Sequence, residues 1–201
     1  MTTFLQLAVN LLAPLPHLAS LLDRVRDALL TPLTGAAVGH TGLILGAYAP
    51  LALGVGRRSG FLLALWRWPP LGVLLRGSLP LLLMPALGEE LLFRVALLPH
   101  PAGGPNFASF WAWGALNVGL FVVYHPLAAR LWDRRQPAVF DDPRFLMQCT
   151  LLGSACVLAY GASGSLWAPV LIHWLAVAAW LGPLEGHRSL PGAKPHESAA
   201  P

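Results

Sequence analysis

The stretch SLPLLLMPALGEELLFRVALL, residues 78–98, places three charged side chains inside a long apolar segment. Residues 78–87 carry no charge, and Glu89, Glu90 and Arg94 follow directly. A charge at the centre of a bilayer costs at least about 2.5–3.5 kcal/mol, so such groups face the protein interior or water and find partners. The stretch therefore predicts a membrane helix whose charges have a structural or chemical role.

The composition of the whole chain is typical of an integral membrane protein. Of its 201 residues, 56% are hydrophobic and 11% are charged, whereas a soluble domain carries about 25% charged residues. The apolar segments predict an all-α fold, a polytopic transmembrane helical bundle of about six spans. The net charge of +4 does not indicate nucleic-acid binding, because the basic residues fall between apolar segments and form no dense stripe.

The segments divide the chain into one membrane domain, residues 1–184, and a polar tail, residues 185–201, which is expected to be disordered. The segments cover about residues 4–22, 33–55, 77–98, 107–129, 145–163 and 165–182. The first, interrupted by Pro14 and Pro16, is interpreted as a span or an interfacial helix. Residues 61–76 mix Trp, Arg and Pro, which predicts a helix at the membrane interface.

The loop charges predict the orientation of the protein. Arg24 and Arg26 fall on one side of the six-span arrangement, and the other basic loop residues fall on the opposite side. These are Arg57, Arg58, Arg67, Arg76, Arg130, Arg134, Arg135, Arg144, Arg188 and Lys194. Because Lys and Arg accumulate in cytoplasmic loops, both termini are expected in the cytoplasm. No transit peptide is visible, and the bacterial inner membrane is the simplest location.

The two cysteines, Cys149 and Cys156, are expected to be buried free thiols. On a helix their spacing corresponds to about 10 Å, and a disulfide requires Cα atoms within about 7 Å.

The charged cluster has two faces. Glu90 and Arg94 are spaced i, i+4, so they share a helical face and can pair. Glu89 points about 100° away from Glu90 around the helix. One carboxylate can therefore be held by Arg94 while the other stays available for chemistry.

Two histidines, His125 and His173, also lie inside apolar helices. Phe121 and His125 share a face at i, i+4, and Pro126 predicts a kink or local opening beside His125. Taken singly, a histidine in a membrane helix more often forms an interhelical hydrogen bond than takes part in catalysis.

Together these residues resemble the CPBP family of CAAX prenyl proteases and bacteriocin-processing proteins, also called Abi proteins. The resemblance rests on EELLFR (89–94), FVVYH (121–125) and HWLAV (173–177), in this order on three apolar helices. It implies a glutamic intramembrane protease with a helical core from about residue 40 to 182. It also implies no cofactor and no metal ion, and a membrane-associated peptide or protein as substrate.

The resemblance also implies roles for the site residues. Glu89 would act with His125 to activate a water molecule, and His173 would stabilise the oxyanion of the tetrahedral intermediate. Glu90 and Arg94 would support the site structurally, and Phe121 would pack beside it.

One position departs from the family pattern. Where the third motif usually ends in Asn or another polar residue, this chain has Val177, whose side chain cannot donate a hydrogen bond. Loss of one hydrogen-bond donor to the oxyanion typically lowers the catalytic rate by about 10²–10³-fold.

Several alternatives stay open from the sequence. A catalytically weak or inactive scaffold or immunity-type protein on the same fold would explain Val177. A proton-coupled transporter would also use buried Glu and His, although no inverted repeat is visible. Zinc bound by one Glu and two His is a further option, without a His-Glu-x-x-His motif.

Overall fold

The computed structural model describes residues 15–62, 68–104, 106–132 and 137–184. All regular secondary structure in these residues is helical, which confirms the predicted all-α fold class. The α-helices are α1 Leu15–Leu30, α2 Gly35–Arg58, α3 Leu71–Leu81, α4 Gly88–Glu90, α5 Phe107–Trp132, α6 Pro137–Phe140, α7 Pro143–Ser163 and α8 Trp167–Leu181. The stretch Leu82–Leu87, which contains a break in the helix, precedes α4, and a π-helical turn, Leu91–Ala96, follows it. A 3₁₀ turn, Pro101–Gly103, precedes α5.

In the part of the chain that the structure describes, three helices are long and apolar enough to cross a membrane: α2, α5 as far as Leu131, and α7. The apolar helix α8 is shorter, with 15 residues. Large apolar side chains such as Leu43, Leu120 and Val123 are exposed on the outside of the bundle. A soluble protein rarely exposes a continuous apolar surface, so the chain is an integral membrane protein.

The third predicted span, about 77–98, is not one continuous helix. Met84 has an extended backbone with φ −139° and ψ 122°, and it separates α3 from α4. The next residue is Pro85, and a residue that precedes proline is driven out of the helical region by steric contact with the ring. The carboxylates therefore lie on a helical segment that resumes after Met84.

Other element bounds also differ from the sequence prediction. The first segment was predicted to end at residue 22, but α1 continues to Leu30. Helix α5 continues through Pro126, where a kink was predicted. Residues 4–14, 63–67 and 185–201, parts of the predicted first segment, interfacial helix and tail, lie outside the described residues.

Helix α7 lies at the centre of the bundle. Half of its apolar length is buried, against 6% for α2. It begins at Asp142, whose side chain accepts a hydrogen bond from the Arg144 backbone N–H at 2.8 Å, with Pro143 in the first turn, an arrangement that favours helix initiation. It ends at Gly164, which adopts φ +66°, a conformation that glycine tolerates best.

The bundle has two distinct ends. At the basic end, which carries Arg57, Arg58, Arg130 and Arg144, an Arg144 guanidinium N–H donates to the Gly60 carbonyl at 3.3 Å. At the opposite end, the Trp167 indole N–H donates to the Leu29 carbonyl at 3.1 Å, and the His100 ring and the Gly164 carbonyl share a hydrogen bond of 3.0 Å. Cys149 and Cys156 in α7 are buried free thiols, as predicted.

Candidate active site

Three distant segments bring Glu89, His125 and His173 together inside the bundle. The Glu89 Oε2 atom lies 3.8 Å from Nε2 of His173 and 4.0 Å from Nε2 of His125. Both distances exceed a direct hydrogen bond. Only 8% of Glu89 is exposed, so three polar atoms converge on one point in a largely apolar interior.

Glu90 points away from that point and pairs with two partners. Its Oε2 lies 3.1 Å from Nε of Arg94, and its Oε1 lies 2.7 Å from Nδ1 of His173. The i, i+4 pairing expected from the sequence is therefore present. Glu90 and Arg94 are completely buried, and a buried charge is tolerated only when it is paired and hydrogen-bonded.

Arg94, in the π-helical turn after α4, contacts both α5 and α7. Its Nη2 donates to the Gly153 carbonyl at 3.0 Å, and its guanidinium carbon lies 4.8 Å from the centroid of the Phe121 ring. The Phe121 ring also presents T-shaped contacts to His125 and His173, at 4.7 and 5.9 Å between centroids. Phe121 therefore packs against the guanidinium and against both imidazole rings.

The hydrogen bonds of the two imidazoles define their tautomers. Nδ1 of His125 lies 2.8 Å from the Phe121 carbonyl, which can only accept, so Nδ1 carries the proton. Nδ1 of His173 faces the Glu90 carboxylate in the same way. In a neutral imidazole with the proton on Nδ1, Nε2 carries a lone pair and accepts hydrogen bonds. Both Nε2 atoms therefore face Glu89 as acceptors.

Asn117 on α5 was not singled out from the sequence. It is buried, and its side-chain amide donates to the Phe93 carbonyl within the π-helical turn after α4. A π-turn disturbs the regular i, i−4 hydrogen bonding and is frequent at functional sites. The sequence offered one signal for Asn117: it is an isolated polar residue in an apolar segment, and a buried amide needs hydrogen-bond partners.

A cavity of about 550 Å³ ends at this site. Apart from Glu89, His125 and His173, it is lined mainly by apolar side chains. Its walls come from α2, α6, α7 and α8, and include Val177, the position where the sequence lacks an amide. Ligand pockets are commonly about 300–1,000 Å³ and mostly apolar, so the cavity has the size and chemistry to hold an apolar group next to the polar atoms.

Part of the segment between α5 and α7 packs against the site. Phe140 of α6 and Phe145 of α7 line the cavity, with ring centroids 6.3 and 5.4 Å from that of His125. The 3.6-residue periodicity of a sequence cannot reveal these contacts, because they join side chains on different helices.

A second group of potential ligands lies beside the site. Ligand atoms of Glu90, Cys156 and His173 all lie within 4.8 Å of one another. However, Oε2 of Glu90 is paired with the Arg94 guanidinium, whose positive charge opposes a cation at the same carboxylate. This group differs from the zinc site considered from the sequence, in which one Glu and two His, here Glu89, His125 and His173, would be the ligands.

The fold and site together define a helical membrane protein with a buried carboxylate–histidine centre at the end of an apolar cavity. Residues 59–179 match the family described as type II CAAX prenyl endopeptidase Rce1-like. Because this match covers more than half of the chain, the protein belongs to that family, whose members are CAAX-protease-like membrane endopeptidases. No curated protein and no solved structure matches the chain.

Proposed function

We propose that this protein is a glutamic-type intramembrane endopeptidase that cleaves lipid-modified peptides. The observation that carries the proposal is the convergence of Glu89 Oε2 with the Nε2 atoms of His125 and His173, at 4.0 and 3.8 Å, at the end of the apolar cavity. A water molecule at this point can donate hydrogen bonds to the carboxylate and to one imidazole, which is the arrangement general-base catalysis requires.

In this mechanism Glu89 and His125 activate the water. As the water oxygen bonds to the peptide carbonyl carbon, its proton passes to Glu89 and the carbonyl π electrons move to the oxygen. When the intermediate collapses, the C–N bond breaks and the leaving amine takes the proton from Glu89. The carboxylate is thereby restored, and the second product is a carboxylic acid.

His173 is proposed to donate a hydrogen bond to the oxyanion. It can do so through Nε2 only when both ring nitrogens carry protons, because Nδ1 already faces Glu90. The Glu90 carboxylate would then balance the imidazolium charge, and Arg94 would keep that carboxylate ionised through the contact of 3.1 Å.

The shape and position of the cavity support a lipid-modified substrate. Its face on α2 extends from Leu45 to Leu53, about 12 Å along the helix, enough for a long hydrocarbon chain. Cys149, which also lines the cavity, lies six residues inside the start of α7, about 9 Å from the basic end. With the basic end in the cytoplasm, a prenylated C-terminus anchored in that leaflet reaches Glu89.

We favour a metal-independent reaction. Glu90 is the carboxylate that lies near Cys156 and His173, and the adjacent positive charge of Arg94 opposes a metal cation there. One observation favours a second candidate, a catalytically weak or inactive scaffold. Val177 presents an apolar side chain to the cavity, where an oxyanion would need a donor.

The test is cleavage of internally quenched peptides with a farnesylated cysteine near the C-terminus by purified protein reconstituted in bilayers. Glu89→Gln, matched for folded concentration, serves as the isosteric comparison. We expect cleavage by the wild type, loss of cleavage in Glu89→Gln, and weaker cleavage of the same peptides without the lipid. The wild-type rate should persist in a strong chelator.

Equal cleavage by both proteins would remove Glu89 from the mechanism. Cleavage that stops in the chelator and returns with zinc would replace the glutamic mechanism by a metal-dependent one. Binding of the lipidated peptides without cleavage would favour the scaffold.

A further inference from the structure

The oxyanion requires more hydrogen-bond donors than the three central residues supply. Neutral His125 and His173 both use their Nδ1 protons on other acceptors, and the ionised Glu89 only accepts. Protonation of His173 adds one donor. Backbone N–H groups along the cavity face of α2, α7 and α8 are engaged inside those helices. A side chain that faces the cavity can supply a further donor.

Besides the central residues and the weakly donating Cys149, three described side chains that line the cavity carry donors: Tyr48, Gln148 and Trp180. Trp180 lies seven residues after His173, about 10 Å along α8. The Gln148 amide already donates to the Ala52 carbonyl at 3.0 Å. It also lies eight residues before Cys156, about 12 Å along α7.

Tyr48 lies on the cavity wall and packs against buried residues that include Ile172, the neighbour of His173 in the chain. Its ring packs against the cluster that includes Cys156 and Ile172, and the Cys156 Sγ atom lies within 4.8 Å of the ligand atoms of Glu90 and His173. Along the cavity face of α2 the other residues are Leu45, Ala49, Ala52 and Leu53. Tyr48 thus brings one hydroxyl to an otherwise apolar wall, and no hydrogen bond engages that hydroxyl among the described residues.

We infer that the Tyr48 hydroxyl is a catalytic hydrogen-bond donor to the oxyanion of the tetrahedral intermediate. The phenol keeps its proton throughout and only donates a hydrogen bond as negative charge develops on the carbonyl oxygen. A preorganised donor in a site that excludes water stabilises the transition state more than the ground state. The inference rests on the proposed endopeptidase function and adds a residue from α2 to that site.

The test compares Tyr48→Phe with Tyr160→Phe in the reconstituted farnesyl-peptide assay. Tyr160 is buried in α7 away from the cavity, and its hydroxyl has no hydrogen-bond partner among the described residues. We expect kcat of Tyr48→Phe to fall about 10²–10³-fold with an unchanged KM, and Tyr160→Phe to match the wild type. Both variants should unfold at the wild-type temperature.

A second variant separates catalysis from packing. Val177 lines the same cavity one turn after His173, so Val177→Asn in the Tyr48→Phe background introduces an amide donor there, and we expect part of kcat to return. An unchanged kcat in Tyr48→Phe, or a change in KM alone, would overturn the role of Tyr48 and leave the proposed function intact. Cleavage that is insensitive to Glu89→Gln would instead overturn the proposed function itself.

Discussion

Glu90 and His173 share a hydrogen bond of 2.7 Å between Oε1 and Nδ1, although 83 residues separate them in the chain. This bond fixes the His173 tautomer and turns Nε2 toward Glu89. The adjacent carboxylates thus have different partners, because Glu90 forms an ion pair with Arg94 and a hydrogen bond with His173, whereas Oε2 of Glu89 lies 3.8 and 4.0 Å from the two Nε2 atoms.

Replacing Glu90 should damage stability far more than replacing Glu89. In Glu90→Ala the buried Arg94 loses its counter-charge, and breaking a buried ion pair in this way costs about 3–5 kcal/mol. Unfolding of the purified protein in detergent measures the loss. Glu89→Ala is the matched comparison, and similar destabilisation of the two variants would contradict the division of roles.

Replacing His125 should affect the rate and spare the fold. We expect His125→Gln to lower peptide cleavage by about 10²–10⁴-fold, the usual contribution of an acid–base group. The control is His40→Gln, since His40 is exposed on α2 and should retain full activity. A His125→Gln variant with the wild-type rate would exclude the imidazole from water activation.

Gly153 is required by close packing at the site. A Cβ at this position would lie 3.2 Å from the Phe121 ring and 3.5 Å from Nη2 of Arg94, and both side chains are completely buried. Gly153→Ala should therefore lower stability by about 1–3 kcal/mol, as overpacking does, and reduce cleavage.

Gly119→Ala provides the matched control for that substitution. A Cβ there meets nothing within 4 Å, and alanine in a helix is favoured over glycine by up to about 1 kcal/mol. Melting curves of the two variants should shift in opposite directions.

Asn117 should prove necessary for the π-helical turn after α4. In Asn117→Leu the buried Phe93 carbonyl loses its side-chain donor, which costs about 1–3 kcal/mol. Calorimetry or chemical unfolding measures this loss. Ser154→Ala is the comparison, because the Ser154 hydroxyl is exposed and forms a hydrogen bond only within its own helix. Equal stability of the two variants would contradict the role of Asn117 in the π-helical turn.

Asp142 should stabilise the start of α7 in a pH-dependent way. The side-chain hydrogen bonds from Arg144 hold the pKa of the Asp142 carboxyl below its ordinary value. A carboxylate with a lowered folded-state pKa contributes stability above its unfolded-state pKa and loses it as the pH falls through the folded-state value. Asp142→Asn should therefore cost about 1 kcal/mol or less near neutral pH.

The difference between Asp142→Asn and the wild type should shrink as the pH falls below the ordinary carboxyl pKa. Unfolding measured between neutral pH and strongly acidic pH checks this. A difference that is constant with pH would show that the charge of Asp142 contributes nothing.

The sequence predicted more about the central helices than about their surroundings. The helices that carry Phe121, His125 and His173 lie close to their predicted bounds because long apolar segments have few alternatives in a membrane. The break at Met84 was missed because proline occurs within apolar helices as well as between them; Pro126 and Pro50 lie inside continuous ones.

The residues around the candidate site were harder to predict. The packing of Phe140 over His125, the contact of Arg94 with Gly153 and the position of Tyr48 each join elements far apart in the chain. Hydrophobic periodicity describes one helix at a time, so it carries no information about such contacts.

From the sequence alone follow the membrane location, the all-helical fold and the pairing of Glu90 with Arg94, since apolar length and i, i+4 spacing are local properties. Only the folded bundle decides that Glu89 is the carboxylate facing the two Nε2 atoms, that Glu90 orients His173, and that an apolar cavity ends there. These depend on how each helix is rotated and how closely it approaches its neighbours, which the packing of side chains from distant segments determines.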